Sequence, residues 1–462
     1  MRNSNITVII LIAFTLVLAG VSNIWFSDVL QSEGLSKEDD GNDSAFVPIT
    51  SAKGRVIIYV NSTIYANITN EVDQYKQDII NNNSYTVKII NNTMFPTAQL
   101  LKINLTAEYA LGLKGAILIG EFPYVWYNDL NFPDPWGIYP CDLYLMDLDA
   151  FWCDTIPDGI YDDHNTNPPA LPGSDVQPEI WVARINPLPL SGINQSKALR
   201  EYFKRNHEYR TGKLSRPHKG MLYIDDEWAR PSWIPGWTSS FSTYTGAERI
   251  VHSTNATTNP TNYKNNLTLD YEWVHLLCHS NESDHLFGMI TGVQPNPVEG
   301  TFDTVTLNAL NTQPLFYNLY ACYNGNYTHK DSLGTQYLFS NNTLTVLCSS
   351  KSGGMDLYKY FYDPLKNGKS IGDSFVSWFN NNDVWTPTKL TQRIWHGMTI
   401  LGDPLLTVTS PPGGIPTGDD DDDDDDERAV ISFGNYYVIF IIIPLISLIL
   451  IIKRKAFITK SK

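Results

Sequence analysis

Three segments of the chain run from apolar residues into side chains that can act as a nucleophile, a base or an acid. Residues 220–227 read GMLYIDDE, residues 272–280 read EWVHLLCHS, and residues 316–327 read FYNLYACYNGNY. A cysteine thiolate is a strong nucleophile, a nearby imidazolium stabilises it, and a carboxylate can orient the imidazole. The order of acids, His279 and Cys322 therefore predicts nucleophilic chemistry carried by a thiol.

These side chains follow predicted strands. The apolar and aromatic residues 316–321 favour a strand, and Asn324-Gly325 favours a turn because both residues tolerate positive φ. The carboxyl ends of parallel strands lie at one edge of a sheet, where α/β proteins collect their ligands. We therefore expect the acids, His279 and Cys322 to meet at a common edge.

The other cysteines and histidines near these segments have simpler interpretations. Cys278 and Cys348 lie within apolar runs and are expected to be core thiols. His275 is expected to be structural, and His285 and His396 are expected at the surface or in hydrogen bonds. None of them is predicted to take part in catalysis.

The elements that would position the site alternate between strands and helices. Strands are predicted at 55–60, 85–90, 116–120, 179–185, 220–225, 271–279, 315–322 and 343–350. Helices are predicted at 67–82, 105–115 and 197–213. This alternation predicts an α/β fold with a mainly parallel sheet.

Composition supports a large globular body. The chain has 462 residues, of which 42% are hydrophobic and 12% aromatic, and this is enough to bury a substantial core. The net charge is −16, and the run at 419–427 consists entirely of acidic residues. The rest of the sequence has no basic stripe, which argues against a nucleic-acid partner.

Two apolar segments bracket this body. Residues 6–21 suit a signal peptide or an uncleaved membrane anchor. Residues 436–452 are long enough to span a bilayer, and the basic residues 453–455 follow them. The positive-inside rule then predicts a cytoplasmic tail and an extracellular body at the cell membrane, anchored by one or by both segments. Asn-x-Ser/Thr sequons such as Asn194 agree with an extracellular glycoprotein.

The predicted organisation has six parts. In chain order they are a signal peptide or membrane anchor at 1–25, a polar linker at 26–53, a globular domain at 54–410, a Pro/Gly and poly-Asp stalk at 411–434, a transmembrane helix at 435–453 and a basic cytoplasmic tail at 454–462. The globular domain is expected to comprise two subdomains, at about 54–190 and 191–410.

Over roughly residues 55–408 the body resembles the gingipain-type cysteine peptidases of the caspase-like clan. Residues 321–327, ACYNGNY, are similar to the nucleophile segment of that family, and residues 278–287, CHSNESDHLF, to its histidine segment. PEIWVARI at 178–185 and ILGDPLLTV at 400–408 are similar to further family segments. The resemblance implies a caspase-like α/β/α sandwich and an endopeptidase that hydrolyses protein or peptide substrates without a required cofactor.

The resemblance also implies a set of site residues. Cys322 and His279 would form the catalytic dyad and act through a thioester intermediate. The backbone N–H groups of Cys322 and Ser280 would form the oxyanion hole. In relatives an orienting acid ends the strand before the histidine, which gives one of the three acids at 225–227. Of these, Asp226 is our prediction.

Two other functions stay open on the sequence. Cys278 and Ser280 stand where the family usually has glycine beside the histidine, which would suit a catalytically inactive surface protein that binds or adheres. A transpeptidase that attaches proteins to the cell surface would use the same dyad, with an amine in place of water. A thiol-directed label tests the first alternative, and analysis of the products tests the second.

An acid-rich loop and two neighbouring cysteines lead to structural expectations. Oxygen ligands suit calcium, and relatives often carry this ion, so the loop is a candidate for a structural calcium site. The candidate ligands are Asp147, Asp149, Asp154 and Asp158. Cys141 and Cys153 are close enough in sequence to form a disulfide.

Overall fold

Strands from most of the chain assemble into the central sheet. The computed structural model describes residues 53–91, 95–130, 137–165, 175–254, 256–288, 300–380 and 395–408. Within these ranges the strands are β1 (Arg55–Val60), β2 (Thr86–Asn91), β3 (Leu113–Ile119), β4 (Val125–Asn128), β5 (Ile138–Cys141), β6 (Phe151–Cys153), β7 (Asp163–Asn165), β8 (Trp181–Ile185), β9 (Gly220–Ile224), β10 (Arg249–His252), β11 (Trp273–Leu277), β12 (His279–Ser280), β13 (Asp284–Phe287), β14 (Gly300–Asp303), β15 (Phe316–Tyr320), β16 (Thr345–Ser349) and β17 (Met398–Gly402).

Ten of these strands form one sheet, in the order β10–β9–β11–β15–β16–β17–β8–β3–β1–β2. The first five run parallel to one another, and so do the last five. The two sets meet where β16 and β17 pair antiparallel. The carboxyl ends of β9, β11 and β15 therefore share one edge of the sheet.

The apolar strands are buried on both faces of this sheet. Every residue of β8, β9, β11, β16 and β17 is buried. Successive side chains along a strand point to opposite faces of the sheet. Both faces are therefore covered, as is usual for parallel sheets of α/β proteins. The prediction of an α/β fold with a mainly parallel sheet is confirmed.

Helices connect many of the strands. In the described ranges they are Ser62–Tyr65, Thr69–Asn83, Ala98–Tyr109, Leu143–Met146, Gln195–Arg210, Ile234–Ser240, Pro260–Asn266, Thr304–Asn308, Leu333–Leu338, Lys359–Lys366 and Ile371–Asn380. The helix predicted at 105–115 is wrong in its bounds. Thr97 begins this helix earlier, because its hydroxyl accepts a hydrogen bond from the Leu100 N–H at 3.4 Å. Gly112, with a φ of +87°, turns the chain into β3.

The predicted terminal segments lie outside the described residues. These are the signal or anchor segment at 1–25, nearly all of the linker at 26–53, the stalk at 411–434, the transmembrane helix at 435–453 and the tail at 454–462. Within the described ranges, no helix has the length and apolar character that a bilayer span requires.

Candidate active site

The register of three neighbouring strands brings the predicted site residues to one level. Leu277, the last residue of β11, pairs with Ile224 at the end of β9 and with Tyr320 at the end of β15. His279 lies two residues after Leu277, and Cys322 lies two residues after Tyr320. Neighbouring strands lie about 4.8 Å apart, so the backbone at His279 and at Cys322 leaves two adjacent strands at the same edge of the sheet.

A loop after β16 contacts the Cys322 thiol, which is half-buried. The Ser352 Oγ lies 3.5 Å from the Cys322 Sγ, and the Gly353 N–H donates to the same sulfur at 3.4 Å. A donor that points at sulfur favours the thiolate over the thiol. The sequence did not indicate Ser352 or Gly353, because the strand–loop context that brings them to Cys322 is tertiary.

The turn after Cys322 differs from the one expected at Asn324-Gly325. The residue with positive φ is Tyr323, at +60°, and its N–H donates to the Lys351 carbonyl at 2.9 Å. Gly325 is needed for a different reason: a Cβ there would lie 2.8 Å from the Cys348 Sγ. The Asn-Gly pair thus marks a turn whose glycine allows close packing against β16.

Glu227 contacts the His279 ring. The His279 Nε2 lies 2.9 Å from the Glu227 Oε2, and the imidazole remains about a third exposed. The Trp228 ring packs against the imidazole at 5.3 Å between centroids. Burial lowers the pKa of His279, whereas burial and the neighbouring Asp226 raise the pKa of Glu227 to about 6.

The acids at 225–227 have different surroundings. Asp225 is fully buried, accepts a hydrogen bond from the Gly288 N–H at 3.1 Å, and has a pKa raised by burial to about 7. The turn that follows β9 is closed by hydrogen bonds from the Trp228 and Ala229 N–H groups to the Asp225 carbonyl. The ion-pair contact to His279 comes from Glu227 and not from Asp226, our choice from the sequence.

The residues beside His279 take ordinary strand and core positions. Ser280 pairs with His285 between β12 and β13. Among the described residues the non-glycine residues with positive φ are Ser84, Tyr323, Asp331 and Leu357, so Ser280 adopts no conformation reserved for glycine. Cys278 is buried, as expected of a core thiol.

All five cysteines are free thiols, so the disulfide expected between Cys141 and Cys153 is not formed. The Cys141 thiol instead donates to the His396 carbonyl at 3.2 Å. Burial raises the pKa of Cys141 to about 12 and also raises the pKa of Cys278 and Cys348. These three thiols are protonated at neutral pH and are therefore poor nucleophiles.

Two of the four acids proposed for calcium come together with a third acid that we had not predicted. Carboxylate oxygens of Asp147, Asp149 and Glu179 lie within 4.8 Å of one another. Asp154 and Asp158 do not belong to this group. Asp154 accepts from the Gly159 N–H at 2.8 Å, within a local turn. No sequence spacing links Glu179 to the loop, because it lies 30 residues after Asp149 in the chain, just before β8.

A profile of peptidase family C25 matches residues 112–409, more than half of the chain. The chain belongs to peptidase family C25. It is a cysteine-type peptidase, and the predicted gingipain-type family is confirmed.

Solved structures agree on the fold of this C25 peptidase. The crystal structure of the Arg-specific cysteine proteinase gingipain R matches at 14% identity and a TM-score of 0.54, over 78% of this chain and 80% of that chain. A complex of the RgpB pro- and mature domains of Porphyromonas gingivalis matches at 13% identity and a TM-score of 0.52, over 77% and 80%. At these identities the likeness shows the fold alone. No curated protein sequence matches the chain.

The contact at Glu227 gives a prediction for the C25 peptidase. Glu227→Gln should lower kcat/KM about 10–100-fold at pH 7, since it replaces a hydrogen bond to a charged acceptor with a neutral one. Asp226→Asn should keep the rate at pH 7. It should also move the acidic fall in activity to lower pH, because removing the neighbouring charge lowers the pKa of Glu227. The pH profile of peptide cleavage measures both effects, and equal losses in the two variants would contradict the assignment.

The carboxyl groups of Asp147, Asp149 and Glu179 lie near the ammonium group of Lys102. The Lys102 Nζ donates to the Asp147 carbonyl at 2.5 Å, and the Asp147 Oδ2 lies 2.7 Å from the His164 Nε2. Burial, together with the carboxylates of Asp147 and Asp149, raises the pKa of Glu179 to about 8. Hard oxygen donors at this spacing fit calcium, and an ion there would supply a structural positive charge.

The raised pKa of Glu179 predicts how stability depends on pH. A carboxyl whose pKa is higher in the folded state holds a proton that the unfolded chain releases, so its contribution is lost as pH rises toward about 8. Buried His164, His275 and His285 have pKa values lowered to about 3, and they oppose this trend only below about pH 6.5. Between pH 6.5 and 8 without calcium, Glu179 alone should lower the free energy of unfolding by about 1 kcal/mol, and Asp147 and Asp225, whose pKa values are raised to about 7, add to this loss.

Denaturant unfolding at several pH values measures this slope. Glu179→Gln should make this slope shallower because it removes a titrating carboxyl, and Asp147 and Asp225 account for the slope that remains. The amide oxygen can still accept the hydrogen bond that the Leu148 N–H donates to the wild-type side chain at 2.6 Å. An unchanged slope in this variant would show that Glu179 carries no extra proton in the folded protein.

Proposed function

We propose that this C25 peptidase is an endopeptidase in which Cys322 is the nucleophile, His279 the general acid and base, and Glu227 the orienting acid. The observation that carries the proposal is the register of β9, β11 and β15. This register supports the proposal because Glu227, His279 and Cys322 each follow the carboxyl end of one of three neighbouring parallel strands. The contact from Glu227 to the His279 Nε2 supports the role of the acid.

The proposed reaction begins with transfer of the thiol proton to the imidazole. The Cys322 thiolate attacks the scissile carbonyl carbon, and the backbone N–H groups of Cys322 and Ser280 stabilise the oxyanion. His279 then protonates the leaving amine as the C–N bond breaks, which leaves a thioester. Water attacks the thioester and gives a proton to His279, and the carboxylic acid product and the thiol are released.

Competitive alkylation with iodoacetamide tests the nucleophile. Cys153 is a matched control, because it is also a free, half-buried thiol. We expect Cys322 to be labelled at least ~10-fold faster than Cys153 at pH 7, with a rate that follows the titration of a thiol beside an imidazole. Labelling at equal rates would favour the alternative of an inactive surface protein that binds or adheres.

The transpeptidase alternative differs in its second step. An amine would attack the thioester in place of water, and a new peptide bond would form. Mass analysis of products formed with and without an added amine nucleophile separates the two reactions. We favour hydrolysis because the His279 ring is partly exposed and water can reach it.

We further propose that the peptidase domain lies outside the cell and is anchored in the membrane. This rests on the apolar residues 436–452, the basic residues that follow them and the acidic stalk before them. In intact cells, an impermeant biotin label should reach the domain, and the protein should stay with membranes after alkaline carbonate extraction. Release by carbonate would exclude the transmembrane anchor.

Calcium is proposed as a structural ion at Asp147, Asp149 and Glu179, with no role in the reaction. Added calcium should raise the Tm of the wild-type protein and reduce the loss of stability between pH 6.5 and 8, because a bound cation keeps Glu179 ionised. Glu179→Gln should lose most of the calcium effect. A Tm that does not respond to calcium in either protein would leave Lys102 as the counter-charge of this group.

A further inference from the structure

The loop after β16 holds the segment around Cys322 from two sides. The carbonyl of Lys351 accepts the Tyr323 N–H at 2.9 Å, directly after the proposed nucleophile. The next two residues, Ser352 and Gly353, contact the Cys322 Sγ. The position of Lys351 therefore sets both the turn that carries the thiol and the donors that face its sulfur.

The side chain of Lys351 points into the protein. Its Nζ donates to the Asp129 Oδ2 at 2.8 Å, and both side chains are fully buried. The same Nζ lies 5.0 Å from the centre of the Tyr139 ring. Asp129 directly follows β4, and Tyr139 lies on the paired strand β5, so the antiparallel unit β4–β5 holds the ammonium group.

A second contact fixes the same loop to the same unit. The Ser350 Oγ donates to the Pro140 carbonyl of β5 at 2.6 Å. The stem of Lys351 is also enclosed: a Cβ at Gly397, just before β17, would come within 2.5 Å of the Lys351 Cγ. A buried charge that leaves its partner incurs a large desolvation cost, so the ion pair with Asp129 restrains the conformation of the lysine.

We propose that the Lys351–Asp129 ion pair is a positioning device for the nucleophile, which ties the thiol loop to β4–β5 and keeps the Gly353 N–H on the sulfur. This inference rests on the proposed function of Cys322. In the part of the chain that the structure describes, neither side chain of the ion pair contacts the Cys322 sulfur. It acts through the backbone of Lys351, Ser352 and Gly353.

Lys351→Met is the first test, since methionine keeps much of the apolar stem and removes the charge. We expect the rate constant for alkylation of Cys322 at pH 7 to fall about 10-fold. We also expect the midpoint of its pH dependence to rise by about one unit, as the sulfur loses a donor that favours the thiolate. kcat should fall at least as much, with a smaller change in KM. Gly397→Ala, which displaces the lysine stem and leaves the ion pair chemically intact, should shift the alkylation profile in the same direction.

Arg210→Met is the matched control. Arg210 forms another buried ion pair, with Asp403 at 2.6 Å, and Asp403 follows β17 at the opposite edge of the sheet. This variant should lose stability, as Lys351→Met should, yet alkylate at the wild-type rate at a temperature where thermal unfolding curves show it folded. That contrast separates positioning from general destabilisation.

Asp129→Asn provides a second route if Lys351→Met does not fold, because it keeps the volume of the side chain but removes the negative charge that holds the ammonium group. Wild-type alkylation and kcat in a folded Asp129→Asn or Lys351→Met variant would overturn the inference. A wild-type protein whose Cys322 labels no faster than Cys153 would instead overturn the proposed function. The two failures are therefore distinguishable.

Discussion

Cys322→Ala should lower kcat/KM for peptide cleavage by at least ~10⁴-fold, which corresponds to about 5 kcal/mol of transition-state stabilisation. Without the sulfur there is no thioester, and water would have to attack the peptide directly. The oxyanion donors and the binding groups would remain, so a small residual rate above the uncatalysed reaction is expected. Hydrolysis of a fluorogenic peptide mixture, which needs no assumption about sequence preference, measures the loss.

The cysteine at 153 provides the control for this experiment. It is free and half-buried like Cys322 but lies on β6, outside the sheet edge that carries the site. Cys153→Ala should therefore cleave at the wild-type rate. Because Cys322 is not fully buried, its replacement by alanine should change the Tm little. Cleavage by Cys322→Ala above about one hundredth of the wild-type rate would contradict a role as nucleophile.

The central strands could be predicted from the sequence because burial on both faces leaves long apolar runs. β1 matches its predicted bounds, and the strands that lead to Asp225, His279 and Cys322 were all found within a few residues. The direction of a strand, in contrast to its position, could not be predicted from the sequence. β17 runs antiparallel to β16, and nothing in the local pattern of ILGDPLLTV distinguishes the two directions. Pairing partners are set by tertiary packing, which a single segment does not encode.

The site residues also fall into two groups: those that the local sequence indicates and those that depend on tertiary packing. The sequence order and strand ends indicated His279 and Cys322, because a parallel sheet brings such ends together. The choice among three consecutive acids depends on the turn after β9, which buries Asp225 and directs Glu227 to the imidazole. Lys351 was not predicted at all, since a lysine in a polar loop is nearly always solvated, and only the tertiary position of Asp129 explains its burial.

The second large effect is expected at His279. His279→Ala should lower kcat/KM about 10³-fold, because the imidazole both stabilises the thiolate and protonates the leaving amine. Cys322 should still react with iodoacetamide in this variant, but with a rate that follows an ordinary thiol and rises only toward pH 8–9. The alkylation profile thus separates loss of the base from loss of the fold.

A matched histidine strengthens this test. His252 ends β10, which lies two strands away from β11, the strand that leads to His279, and the His252 imidazole is also partly buried. His252→Ala should therefore leave both the cleavage rate and the alkylation profile of Cys322 unchanged. The cleavage rate of Glu227→Gln should lie between the rates of His279→Ala and His252→Ala. This variant keeps the imidazole and removes only the charge that orients it. If His279→Ala retained more than about a tenth of the wild-type rate, the thiol would have to find its base elsewhere. The shared register at the ends of β11 and β15 would then reflect only the topology of the sheet and would not indicate that His279 and Cys322 act together.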